Sequence, residues 1–113
     1  MIPVIIESPF AGRTLLERER NIGYARRCMR DCFERGEAPF ASHLLYTQDG
    51  ILDDDIPAQR TLGIEAGLMW GQYALKTVVY TDLGISQGMQ QGIASAQKFN
   101  RPIEYRRLLG AVT

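Results

Sequence analysis

Apolar positions along the 113-residue chain change period several times, and each change marks a switch between strand and helix. Pro3 to Glu7 (PVIIE) is a β-branched run that suits a central parallel strand buried on both faces. It stops at Ser8-Pro9-Phe10-Ala11-Gly12, where proline cannot donate to a ladder and glycine permits a turn. From about Thr14 to Arg35 the period becomes helical, with Ile22, Ala25, Cys28, Met29, Cys32 and Phe33 on one stripe and Gly36 as the stop. Ala38 to Ser42 is a brief second strand, weakened by Pro39. After the Asp49-Gly50 turn and the acidic entrance Asp53-Asp54-Asp55, a second helix runs from Pro57 to Tyr73, its inward stripe being Leu62, Ala66, Met69, Trp70 and Tyr73. Thr77 to Thr81 is the third strand, Ser86 to Phe99 the third helix and Pro102 to Tyr105 the fourth strand; Arg106 to Thr113 carry no assignment.

The order β-α-β-α-β-α-β has no linker, repeat or low-complexity tract, so residues 1–113 are expected to form a single domain. Alternation of this kind implies right-handed crossovers and a four-stranded parallel sheet with helices on both faces. With strand order 2-1-3-4 the topological switch point falls between strands one and three, and a crevice opens there at the strands' carboxyl ends. Ser8 to Gly12 and Asp82 to Met89 would line it, and His43 would be reachable from the neighbouring strand.

The second of those loops carries most of the functional signal. In Val78 to Met89 (VVYTDLGISQGM) a strand empties into Asp82, Gly84, Ser86 and Gly88 before a helix begins. Unpaired backbone N–H groups at such a junction are the usual seat of a phosphate or sugar, which suggests a nucleotide-like ligand. Asp82 is either an acceptor for ribose hydroxyls or a turn-forming residue before Gly84, and His43 either a hydrogen-bonded structural residue or a functional one. Glu65 borders the apolar stripe of the second helix, as a solvated edge residue or as a semi-buried carboxyl with a raised pKa. Gly88, Gly92 and Ala96 give the third helix a flat face for close packing or ligand approach.

Composition narrows the partners. Thirteen basic and thirteen acidic residues with a pI near 6.6 give no net charge to draw the chain onto nucleic acid or a membrane. The arginines of the first helix are interleaved with Glu17, Glu19, Asp31 and Glu34, as on a solvated face. Cys28 and Cys32 are read as buried apolar thiols, with a redox pair as the alternative; with one histidine the chain lacks a zinc set, and the three aspartates lack partner carboxylates for another metal. No metal and no cofactor is therefore expected. Absence of a long apolar run points to a cytoplasmic protein.

SPFAG after the first strand, Asn21 with Ala25, the APFASHLLYTQ segment, Asp54, Pro57 and Arg60 followed by GIEAG, and GISQGM followed by RPIEY together resemble a family of small phage- and bacterium-encoded proteins, itself similar to the nucleoside 2-deoxyribosyltransferases. The resemblance implies a flavodoxin-like three-layer sandwich that binds a nucleoside or nucleotide, a homodimer or higher homo-oligomer, and the host cytoplasm as its location if phage-encoded. Transferases of that type use a loop after strand one, an aspartate after strand three and a glutamate nucleophile on the next helix. The first corresponds to Ser8, Pro9, Phe10 and Gly12, and the second to Asp82. The third has no counterpart: its place falls at about Gly92, and Ser86 to Phe99 contains no carboxylate. Two readings follow. In one, glycosidic-bond chemistry persists with Glu65 or Asp82 as the carboxylate and Ser8, Pro9, Phe10, Gly12, His43, Asp82, Gly84, Ser86, Gly88 and Met89 around the ligand. In the other, the pocket is kept without the chemistry, in a nucleotide-sequestering protein or one that blocks a host protein. A purely interacting protein is a third class, and its mark would be exposure of Trp70, Tyr73 and Leu108-Leu109.

Overall fold

A computed structural model describes residues 1–108 of the chain. Four strands, β1 (Ile2–Glu7), β2 (Glu37–Phe40), β3 (Lys76–Tyr80) and β4 (Ile103–Arg106), form one parallel sheet in the order β2-β1-β3-β4. The helices are α1 (Leu15–Glu34), a single turn α2 (Ser42–Leu45), α3 (Pro57–Gly71) and α4 (Gln87–Lys98). The expected strand order and the layered α/β architecture are both present. The register pairs Ile5 with Thr77 and Glu7 with Val79, so β1 and β3 end together at the switch point.

Side-chain alternation along the strands assigns the two faces. Val4, Ile6, Val78 and Tyr80 point to one side and pack with Tyr24, Cys28 and Cys32 of α1, all nearly inaccessible to solvent. Thr14 caps α1, its hydroxyl accepting from the Glu17 backbone N–H at 3.1 Å. Ile5 and Glu7 point to the other side, toward α3 and α4. Beneath α1 lies a charged cluster centred on Arg106, whose guanidinium donates to both carboxylate oxygens of Glu37 at 2.9 and 3.0 Å and to Tyr80 Oη at 3.0 Å. Cys28 and Cys32 are free and buried, and burial pushes the Cys28 thiol up to about 12 and Cys32 up to about 11. Neither is poised as a thiolate.

The structure corrects the expected orientation of α3. Leu62, Met69, Trp70 and Tyr73 are more than half exposed, and Glu65 is exposed with them. The inward face is instead Gly63, Ile64, Gly67, Leu68 and Gly71. Close approach explains the reversal: a Cβ on Gly67 would lie 2.5 Å from Ser42 Oγ of α2, and one on Gly71 would lie 3.2 Å from an Arg101 guanidinium nitrogen. Glycines spaced by four let α3 settle against these groups, whereas the bulky stripe could not fit there. Phe33 of α1 is likewise turned out, and buried Asn21 and Tyr24 stand inward instead. His43 sits in α2, just past the end of β2. Of the residues whose exposure would mark an interacting protein, Trp70 and Tyr73 are exposed, Leu108 instead packs against the core, and Leu109 falls outside the described residues. Among the described residues no helix is long and apolar enough to cross a membrane.

Candidate functional site

A cavity of about 270 Å³ opens on the face of the sheet opposite α1, at the carboxyl end of β1. Its floor is Ile5 and Glu7, one side is Ser8, Phe10 and the α2 residues Ser42 and His43, and the far side is the small-residue face of α3. The first two turns of α4, from Ser86 to Gly92, close the remaining side, and Arg101 stands behind them. Two features of the chain produce this space. Gly63, Gly67 and Gly71 keep the α3 wall low beside Ile64 and Leu68, and Pro9, the second residue of the loop after β1, cannot extend the ladder.

Glu7 is the group whose chemistry is most altered. Its carboxyl lies against α4, so that a Cβ on Gly92 would collide with the carboxyl carbon and both oxygens. It has no hydrogen-bond partner among the described residues. Burial pushes its pKa up to about 8, with the positive charge of Arg101 working in the opposite direction. Arg101 itself is engaged elsewhere, donating from Nε to Thr77 Oγ1 at 2.9 Å and from a terminal nitrogen to the Gly71 carbonyl at 2.7 Å. Near neutral pH Glu7 is therefore mainly a neutral acid facing the cavity.

Ser8 Oγ and His43 Nε2 share a hydrogen bond of 2.7 Å on the adjoining wall. Burial holds the imidazole down at about 4, so it is uncharged at neutral pH. Phe10 meets the His43 ring edge-on at 6.2 Å, and Asn21 of α1 holds the Phe10 and Ala11 carbonyls through its amide at 3.1 and 3.3 Å. Loop 46–56 completes the mouth: Asp54 is paired with Arg60 at 3.0 Å, and Asp55 with Arg18 at 2.7 Å. Arg60 reaches the first turn of α4, with one nitrogen 3.9 Å from a Cβ built on Gly88. The aspartate run thus forms ion pairs with α1 and α3.

Of the sequence candidates, Ser8, Phe10, His43, Ser86, Gly88 and Met89 line the cavity, whereas Pro9, Gly12, Glu65, Asp82 and Gly84 do not. Glu65 projects to solvent from the outer side of α3. Asp82 belongs to the α1 side: its Oδ1 accepts from Tyr24 Oη at 2.6 Å and from the Leu108 backbone N–H at 2.9 Å. Gly84 takes a positive φ of 85° in the turn that follows. Sequence reasoning missed Glu7. Its signal was a carboxylate at the end of a strand expected to be buried on both faces, in phase with Ile5.

Sheet order, helix placement and a cavity at the switch point define a flavodoxin-like fold. A solved 2-deoxyribosyltransferase from the psychrotolerant bacterium Bacillus psychrosaccharolyticus, described as a biocatalyst for nucleoside synthesis, superposes with a TM-score of 0.62. The match covers 93% of this chain and 72% of that one at 16% identity, a likeness of fold. Residues 2–106 match the model of a family described as a domain of unknown function (DUF7768), and the chain belongs to that family. No curated protein matches the sequence.

Proposed function

We propose that this protein binds a nucleoside or nucleotide in the cavity between β1, α2, α3 and α4 and acts on its N-glycosidic bond by hydrolysis or transfer. The observation that carries the proposal is an unpartnered carboxyl, Glu7, in the wall of a concave site at the switch point of a parallel sheet. Glycosidic-bond chemistry needs a carboxyl beside the scissile bond, and the fold's likeness to a 2-deoxyribosyltransferase supports that class of substrate. Ser8, Phe10, His43, Ser86, Gly88 and Met89 are the proposed ligand contacts. Glu65 and Asp82 are not assigned to catalysis, because neither borders the cavity.

A second reading, a nucleotide-binding protein without chemistry, rests on one specific observation: α4 contains no aspartate or glutamate. One experiment separates the two. The protein is incubated near stoichiometric concentration with a panel of ribonucleosides, 2-deoxyribonucleosides and their 5′-monophosphates, and the mixture is resolved by chromatography. Release of free base is the expected result. Survival of every compound, with binding retained in calorimetry, would leave the binding reading standing. The exposed apolar stripe on α3 supports a homo-oligomer, which light scattering would reveal as a mass above one chain.

A further inference from the structure

We propose, resting on the glycosidic-bond reading above, that Glu7 is the general acid that protonates the departing base and then the base that deprotonates the incoming water. The argument starts from the carboxyls available. Glu7 and Asp54 are the two acidic side chains lining the cavity, and Asp54 is neutralised by Arg60 at 3.0 Å. Glu7 lines the cavity and has neither an ion pair nor a hydrogen bond among the described residues, so its carboxyl is not committed to another side chain. A carboxyl buried without a charge-stabilising partner holds its proton, and a held proton is what a poor leaving group such as a nucleobase requires.

Geometry favours the same group. The β1 backbone carries Glu7 to the sheet edge, and Gly92 leaves room for the carboxyl directly against α4, within the wall rather than at the mouth. The nearest cation, Arg101, is anchored by Thr77 and Gly71, so it moderates Glu7 from a fixed place without taking its proton acceptor sites. Ser8 and His43 are coupled to each other and uncharged, which suits them to hold the sugar or base and leaves proton transfer to Glu7.

The step balances without an additional reactant beyond water. As C1′–N breaks, its electron pair goes to the base nitrogen, which takes the proton from Glu7. The resulting carboxylate faces the oxocarbenium carbon and stabilises its charge. Water then forms the new C1′–O bond and returns a proton to Glu7, giving free base and free sugar. In transfer, a second base would occupy the place of water and surrender its N–H proton in the same way.

The pH dependence follows from the groups that face Glu7. These are Arg101 from the turn before β4, His43 from α2 and the Asp54–Arg60 pair from loop 46–56 and α3; the cavity face of α4 carries no charge. Ionisation of the acid should end activity on the alkaline side, near pH 8. His43 stays neutral down to about 4 and adds no limb above neutrality.

The test compares wild type with Glu7→Gln on two substrates of the same sugar: a natural nucleoside from the panel and the 4-nitrophenyl glycoside, whose leaving group departs without protonation. For the nucleoside, Glu7→Gln should lose about 100-fold or more in kcat while calorimetry shows retained binding. For the nitrophenyl substrate, where only protonation of the leaving group is dispensable, the loss should be at least about tenfold smaller than for the nucleoside. Wild-type kcat/KM on the nucleoside should fall above pH 8. Glu7→Asp, which keeps a carboxyl, should recover part of the activity with the same alkaline limb. Equal collapse on both substrates, or a glycosyl adduct on the Glu7 peptide in mass spectrometry, would make Glu7 a nucleophile and overturn the proposal. Undiminished nucleoside cleavage by Glu7→Gln would overturn it while sparing the glycosidic-bond reading. No base release by wild type would overturn both.

Discussion

The carboxyl of Glu7 on β1 fills the space that a side chain at residue 92 of α4 would occupy. The two positions are complementary: one strand contributes an acid, and the facing helix contributes nothing but backbone. Gly92 is thereby a requirement of Glu7, independent of helix preference, since glycine in a helix interior costs about 1 kcal/mol against alanine.

Gly92→Ala should accordingly destabilise the protein by about 1–3 kcal/mol, because the added methyl displaces the carboxyl. In a Glu7→Ala background the same change should be neutral or stabilising, as helix propensity is recovered once the carboxyl is gone. Urea denaturation of the four proteins of this cycle measures the coupling. Additive effects would separate the two residues.

Stability should vary with pH in opposite senses for the two partly buried cavity groups, Glu7 and His43. Glu7 has a folded pKa raised from 4.5 to about 8, so the native state binds more protons between those values and stability declines as pH rises through that window. Glu7→Gln should therefore be more stable than wild type at pH 9, by roughly 2–4 kcal/mol, and nearly equal to it at pH 4.5. His43 is lowered from 6.5 to about 4, so its contribution is present above 6.5 and lost as pH falls toward 4. His43→Gln should flatten that acid limb in denaturation curves taken from pH 4 to 7.

Asp82 should behave as a structural residue. Tyr24 Oη donates to its carboxylate and accepts from its backbone N–H at 3.0 Å, tying the end of β3 to α1. Tyr24→Phe and Asp82→Asn should each lower stability by about 1–2 kcal/mol while nucleoside affinity stays within a factor of about two. A larger fall in affinity on Asp82→Asn, with unchanged melting, would return Asp82 to the ligand.

Glu37 and Arg106 form a fully buried bidentate pair, and Lys76 also reaches the Glu37 carboxylate at 2.8 Å. Arg106 holds the Glu37 carboxyl down to about 2. Glu37→Ala should cost up to about 3 kcal/mol, because it removes the buried bidentate partner of Arg106 and leaves that guanidinium to the half-exposed Glu104 carboxylate at 2.6 Å. In the wild type, stability from this pair is present above pH 4.5 and lost as pH falls through 2, a loss that acid unfolding followed by circular dichroism would record.

Strand alternation, helix period and turn residues are local properties, so the four strands, the three long helices and the parallel sheet were legible in the chain, while the single turn α2 was not. Strand ends differ from expectation by one or two residues, and α1 has its cysteines inward as read. Tertiary structure alone decided which side of α3 faces in. A helix with bulky residues on one face and Gly63, Gly67 and Gly71 on the other has two amphipathic solutions. Only the nearness of Ser42 and Arg101 selects the glycine side. The same holds for the site. Asp82 and Glu65 drew notice through local context, yet one is turned under α1 and the other into solvent. Glu7 became the cavity's acid because residues 7, 92 and 101, far apart in the chain, meet in the cavity wall. Burial and partner choice are sums over distant contacts, and no local pattern carries them.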